Sequence, residues 1–312
     1  MSIEETKKQP LLILAGPTAS GKTALSVELA QALDGEIISA DSMQVYRGMD
    51  VGTAKVRPEE TEGVPHHLID IIDPDEEWNV MKFQQLAKEK ITEIAGRGHL
   101  PMIVGGTGFY IHALAYDAEF EEEPENNGLR AELEALPTEE LFEQLKALDP
   151  ESALKIHPNN RKRVIRAIEY AKLNEEPISQ LNERLKAKES PYRLAFLVLD
   201  MPREELYERI NRRVDLMLEK GLVEEVKALM AQGYTSDLVS MKGLGYKELV
   251  PCLQGETSPE EAVELLKKST RHFAKRQMTW MRREEDAVFL PVYPRETLTE
   301  RALEIAREKL DL

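Results

Sequence analysis

Eight residues, Gly16-Pro17-Thr18-Ala19-Ser20-Gly21-Lys22-Thr23, have the types and spacing of a loop that wraps a pyrophosphate. They satisfy G-x-x-x-x-G-K-[ST] at every defined position, between a strand-like apolar run and a helix-like period. Glycines let backbone amides converge on phosphate oxygens with no Cβ in the way. The helix that follows adds the partial positive charge of its N-terminus. Lys22 supplies a mobile cation, and the Thr23 hydroxyl is the expected ligand of Mg²⁺. The motif specifies a pyrophosphate and leaves open whether the ligand is a nucleotide such as ATP.

A hydrolysing ATPase adds a carboxylate at the end of another apolar strand to hold the metal. Met102-Ile103-Val104 runs instead into Gly105-Gly106-Thr107-Gly108, which has no acid. Leu194–Leu199 ends in Asp200, but Met201-Pro202 and a helix follow, so Asp200 is expected to cap that helix. Asp41 is different. It follows Ile37-Ile38-Ser39-Ala40 at the carboxyl end of a predicted parallel strand, the edge where doubly wound sheets bind ligands. There it either accepts a proton, holds metal-bound water or caps a loop, and position alone does not choose.

The elements that must position these residues read as a parallel sheet covered by helices. Strands are expected at Leu11–Ala15, Glu36–Ser39, Pro101–Val104, Leu194–Leu199 and Ala287–Val292. Between and after them come helices at Thr23–Leu33, Lys82–Ala95, Arg203–Glu219, Val223–Ala231, Ser258 to about Arg282, and Leu298–Lys309. Ser258-Pro259-Glu260-Glu261 is a capping box with proline at the first helical position. From Leu129 to Leu185 the chain reads as helix throughout: Leu129–Ala135, Thr138–Leu148, Asn160–Leu173 and Ile178–Lys186. The expected organisation is an α/β catalytic core of the phosphate-loop NTPase type, residues 1–115 and 195–312, with an all-helical insertion over 116–194.

The 312 residues carry 41 Lys and Arg against 57 Asp and Glu, a formal charge of −16, which disfavours an indiscriminate polyanion binder. Cys252 is alone, so no intrachain disulfide or cysteine-built zinc site is possible. No secretory signal or membrane-spanning run is present, and a soluble cytoplasmic protein, acting as a monomer, is expected. Two segments oppose the average charge. Lys155–Lys172 holds Lys155, Arg161, Lys162, Arg163, Arg166 and Lys172 against Glu169. Lys267–Arg283 holds seven cations and no acid. Phosphate contact is favoured over a merely solvated face. His66-His67 reads as a turn or channel wall rather than a zinc site, and Trp78 as core.

Asp41-Ser42-Met43-Gln44-Val45-Tyr46-Arg47-Gly48-Met49-Asp50-Val51-Gly52-Thr53-Ala54-Lys55 resembles the signature segment of the tRNA dimethylallyltransferases, or tRNA isopentenyltransferases. Gly16–Thr23, Pro65–Asp70, Val104–Tyr110, Lys242-Gly243-Leu244-Gly245-Tyr246 and Arg276-Gln277-Met278-Thr279-Trp280 agree with that family and follow in its order. The resemblance implies transfer of a dimethylallyl group from dimethylallyl diphosphate to N6 of the adenosine 3′ of the anticodon. Diphosphate is the leaving group and no ATP need be consumed. Asp41 then resembles the general base. Thr107 contacts tRNA or substrate, and Asp41, Ser42, Met43 and Gln44 surround an adenosine flipped from its stack. Lys162-Arg163-Val164-Ile165-Arg166 matches the insertion segment that meets the anticodon stem-loop; Lys242, Gly243, Gly245, Tyr246 and Lys247 match a second RNA-contacting loop, and Gln277 a third contact. Lys22, the loop amides, Mg²⁺ at Thr23, Arg209 and Arg213 would stabilise the departing diphosphate. For the two arginines a solvated face among Glu204, Glu205 and Glu208 is an equal alternative. Thr279 and Trp280 read somewhat better as core than as site. Three other readings stand beside this one: a small-molecule kinase with the same loop, a prenyltransferase acting on free adenine nucleotides, and a non-enzymatic nucleotide switch.

Overall fold

The computed structural model describes residues 8–120, 128–186 and 189–312. Residues 121–127, most of the acidic run Glu119–Glu125, lie outside them. The chain divides into two units, Met1–Ala115 with Ser190–Leu312, and Tyr116–Glu189. The second boundary comes earlier than the sequence suggests because the returning strand starts at Tyr192.

In chain order the first unit begins with β1 (Gln9–Ala15), α1 (Lys22–Leu33), β2 (Gly35–Ala40), the two-residue β3 (His66–His67), α2 (Val80–Gly96), β4 (Leu100–Gly105) and α3 (Gly108–Ala115). The helical unit holds α4 (Leu129–Ala135), α5 (Thr138–Leu148), α6 (Pro150–Lys155), α7 (Arg161–Asn174) and α8 (Ile178–Lys186). The first unit resumes with β5 (Tyr192–Asp200), α9 (Arg203–Glu219), α10 (Leu222–Ala231), α11 (Tyr246–Leu253), α12 (Pro259–Met281), β6 (Ala287–Pro291) and α13 (Leu298–Leu310). Four of these have no counterpart in the sequence reading. α3 is too uniformly apolar to show a helical period, α11 contains Pro251, α6 is a single short stretch after Pro150, and β3 is only an edge.

All six strands are parallel, in the order β3-β2-β4-β1-β5-β6. β1 lies inside the sheet with helices on both faces, so it reads as a continuous apolar run. Leu11, Leu12, Ile13 and Leu14 are wholly buried. Each such side chain contributes about 1.5–3 kcal/mol of hydrophobic stabilisation. The register matters for function. Ala15 pairs with Gly105, and Gly105 pairs with Ala40, so β1, β4 and β2 end level. Whatever follows these three residues emerges on one edge of the sheet.

His67 Nε2 meets the buried Glu36 carboxylate at 2.7 Å, and Arg97 binds the same carboxylate. The histidine pair thus holds an edge strand, neither turn nor channel wall. Asp200 ends β5, and the helix after it is capped by Pro202 with no side-chain bond, so the expected Asp200 cap does not form. Trp78 is buried, as core residues are.

The helical unit has its own apolar centre: Leu133, Leu141, Leu145, Val164, Ile165, Ala167 and Ile168. Asp149 is wholly buried and serves two helices, accepting the N–H groups of Ser152 and Ser179 at 3.0 Å on its two oxygens. Burial alone would raise this carboxyl; the hydrogen bonds from Ser152 and Ser179 outweigh it and hold the group below its ordinary value.

Candidate active site

The phosphate loop leaves β1 at Gly16 and enters α1 at Lys22. Gly21, just before the helix, sits at φ 97°, in the left-handed region that a side chain would strain. The Lys22 ammonium donates to the Gly16 and Pro17 carbonyls at 2.9 and 2.8 Å. Burial first, and then the nearby Arg213, lower its pKa to about 7, against an upward pull from Asp41. α9 brings further cations. Arg209, Arg212 and Arg213 join Ala19, Gly21, Lys22 and Thr23 around a cleft of about 470 Å³, with Glu205 and Leu216 completing the wall. Residues 209, 212, 213 and 216 share a helix face by their spacing, and that face lines the cleft beside the phosphate loop. Arg213 is half-buried; burial lowers its pKa, and Asp41 opposes that shift.

Asp41 follows Ala40 at the end of β2. Its Oδ1 accepts the N–H groups of Met43 and Gln44 at 2.8 and 3.3 Å. Oδ2 makes no hydrogen bond with the described residues, so one carboxylate oxygen shapes the loop and the other is available. Thr107 is the second residue after β4, beyond Gly106. Its Oγ1 accepts the Ser42 N–H at 3.2 Å, and its own N–H donates to the Ala40 carbonyl at 3.2 Å. The Thr107 hydroxyl proton is therefore free to face a ligand. Gln44 is engaged within the loop. Its amide accepts from Ser39 Oγ at 3.2 Å and donates to the Thr53 carbonyl at 3.3 Å.

The loop after Gln44 is anchored from a distance. Glu225, on α10, accepts the N–H groups of Asp50, Val51 and Gly52 at 2.8, 2.7 and 3.0 Å, and the Tyr246 hydroxyl at 2.6 Å. Lys55 is buried between Asp50 and Asp70. Nothing in the sequence around Glu225 announces this role. Arg212 was likewise missed, although its place beside Arg213 was a usable signal.

Several expected RNA contacts are corrected by burial. Val164 and Ile165 are 1% and 4% exposed in the centre of the helical unit, and only Lys162, Arg163 and Arg166 of that segment face outward. Arg161 is structural, donating to the Thr138 hydroxyl and to the Glu134 and Leu136 carbonyls. Gly243, Gly245 and Tyr246 are buried, whereas Lys242 and Lys247 are exposed. Gln277 is buried with both ends of its amide bonded within the protein. Thr279 is exposed rather than core, and Trp280 packs against Phe109 and His112, with ring centroids at 6.0 and 5.8 Å.

A family model for IPP transferase matches residues 44–284, and one for isopentenyl transferase matches residues 9–71. The tRNA dimethylallyltransferase of Lachnoclostridium phytofermentans is 58% identical over 286 residues, covering 90% of this chain and 91% of the relative. A crystal structure of the full-length tRNA isopentenylpyrophosphate transferase from Bacillus halodurans superposes with a TM-score of 0.74 at 45% identity, covering 97% of both chains. That of a eukaryotic dimethylallyltransferase acting on tRNA has a TM-score of 0.84 at 29% identity, covering 97% of this chain and 80% of the other. With the phosphate loop, Asp41 and Thr107 gathered on one sheet edge, the chain belongs to the IPP transferase family, that of the tRNA dimethylallyltransferases.

Proposed function

We propose that this protein transfers the dimethylallyl group of dimethylallyl diphosphate to N6 of the adenosine 3′ of the anticodon in tRNA. The level ends of β1, β2 and β4 carry this reading, because they set a diphosphate loop, a carboxylate and a hydroxyl side by side. Adenine N6 is a weak nucleophile whose lone pair is conjugated with the ring. As the N6–carbon bond forms, the allylic carbon–oxygen bond breaks and its electron pair leaves with diphosphate. The N6 proton passes to Asp41 Oδ2. Lys22, the loop amides and the α9 arginines neutralise the charge that grows on the leaving group. The Thr107 hydroxyl is placed to donate to the base or the diphosphate.

The donor set fits Mg²⁺, which is commonly held by one or two protein oxygens together with phosphate oxygens and water. Thr23 offers an exposed hydroxyl that no described residue engages. Bound there, the ion would add positive charge at the diphosphate. The reaction needs no ATP. The protein is proposed to act as a monomer, and no described helix is long and apolar enough to cross a membrane. We place the reaction in the cytoplasm, where tRNA is modified.

A stacked loop base cannot reach the cleft, so the adenosine is extruded into it. Incubation with labelled dimethylallyl diphosphate, Mg²⁺ and unmodified tRNA is expected to move label into RNA. Phosphate transfer from ATP to a small hydroxylated acceptor, with no label in RNA, would replace this reading by that of a kinase.

On α7, Lys162, Arg163 and Arg166 are exposed and have no ion-pair partner among the described residues. Reversing charge at Arg163→Glu and Arg166→Glu is expected to weaken tRNA binding and to make its log–log salt slope shallower by about one to two. Filter binding at several salt concentrations measures both. An unchanged slope would remove these residues from the interface.

A further inference from the structure

Gln277 lies on the buried stripe of α12, in line with Ala262, Leu266, Thr270, Ala274 and Met281, and is 6% exposed. Its Oε1 accepts the Thr18 N–H at 2.9 Å, and its Nε2 donates to the Gly106 carbonyl at 2.9 Å. One amide thus joins the phosphate loop to the turn that presents Thr107. From Thr107 the bonding runs on to Ser42 and Ala40, the two neighbours of Asp41. Gly106 makes the approach possible, since a Cβ there would collide with Gln277 Nε2. The glycines of this turn therefore admit side chains of α12; Gly108 likewise lies under Trp280.

We propose that Gln277 is a positioning residue that sets the diphosphate loop against the Asp41–Thr107 side of the site, and does not contact RNA. This rests on the reaction proposed above. In-line displacement requires nucleophile and leaving group to be held within a fraction of an ångström, and the two loops spring from different strands. The residue type follows from the task. An amide carries a neutral acceptor and a neutral donor at one end of a side chain. Leucine has neither, a carboxylate lacks the donor, and asparagine is one methylene short.

Gln277→Leu is expected to lower kcat, at saturating tRNA and dimethylallyl diphosphate, by about tenfold to a hundredfold. Affinity for tRNA should stay within about twofold, since no RNA contact is removed. Inorganic pyrophosphate, titrated calorimetrically, should bind about fivefold more weakly once the Thr18 amide loses its partner. Gln277→Glu supplies a signature that loss of folding cannot imitate. Ionised, it accepts from Thr18 but repels the Gly106 carbonyl; protonated, it has a donor and an acceptor where the amide had them. Burial at this position raises the pKa of the introduced carboxyl, so its kcat relative to wild type should climb as pH falls from about 8 to about 5.5. A loss of tRNA affinity with kcat at saturation intact would overturn the proposal and restore an RNA contact. So would a flat pH ratio, or unaltered pyrophosphate affinity in Gln277→Leu. If wild-type protein fails to label tRNA, the proposed reaction falls, and the pyrophosphate titration still decides whether Gln277 holds the loop.

Discussion

An Asp41→Asn enzyme is expected to transfer the dimethylallyl group about 10²–10⁴-fold more slowly than wild type, with little change in affinity for tRNA or diphosphate. The asparagine oxygen can still accept the Met43 and Gln44 N–H groups that Oδ1 accepts now, so the loop keeps its shape. What changes is the other oxygen, the one that the described residues leave unbonded. It becomes an NH₂ group, which cannot take the N6 proton and presents a donor to a donor. The substitution also removes a negative charge that pulls the pKa values of Lys22 and Arg213 upward, so diphosphate affinity should be followed in parallel. Single-turnover rates with pre-bound tRNA separate chemistry from binding. A rate within tenfold of wild type would reduce Asp41 to a residue that orients the adenine.

Replacing Lys22 by methionine should lower the transfer rate by about 10²–10³-fold, the loss expected when one charge-stabilising donor leaves a water-excluded site. Methionine keeps most of the stem and discards the charge. Wild-type protein should also show a proton linkage that Lys22→Met lacks. With its pKa near 7, Lys22 is largely neutral above that pH in the free enzyme. A bound diphosphate favours the ammonium and raises the pKa again. Binding near pH 8 should therefore take up close to about one proton, and binding near pH 6 almost none, because the group is already charged there. Affinity accordingly weakens as pH rises through 7 and beyond. Calorimetry of pyrophosphate binding in buffers of different ionisation enthalpy reads the uptake directly. Equal proton uptake by Lys22→Met would assign the linkage to another group.

Much of the site was legible in the sequence because its chemistry is local. The phosphate loop is a contiguous run, and Asp41 follows a short apolar strand by one residue. Three of the four helices expected from Leu129 onward coincide with their forecast bounds and the fourth, α7, is shifted by one residue, since proline and charge punctuate that segment plainly. What was not legible depends on partners far along the chain. Val164 and Ile165 look like part of a basic recognition segment until their helix is seen to turn them inward. Tyr246 looks like an RNA-facing aromatic until its hydroxyl is found on Glu225. For Gln277 a clue existed. It continues the stripe Ala262, Leu266, Thr270, Ala274, and an amide there must satisfy both ends inside the protein. The family segment containing Gln277 drew attention to RNA, whereas the helical period pointed to the interior.

The bond between Thr18 and Gln277 spans 259 positions of chain. During synthesis the phosphate loop leaves the ribosome long before the side chain that steadies it. β1 itself waits for β5, which begins at Tyr192, to cover its second edge. Such long-range closure is slow and is completed late. A nascent or prematurely terminated chain therefore displays the loop without its brace, and a fragment ending before α12 would carry the most recognisable motif of this protein with no means of using it.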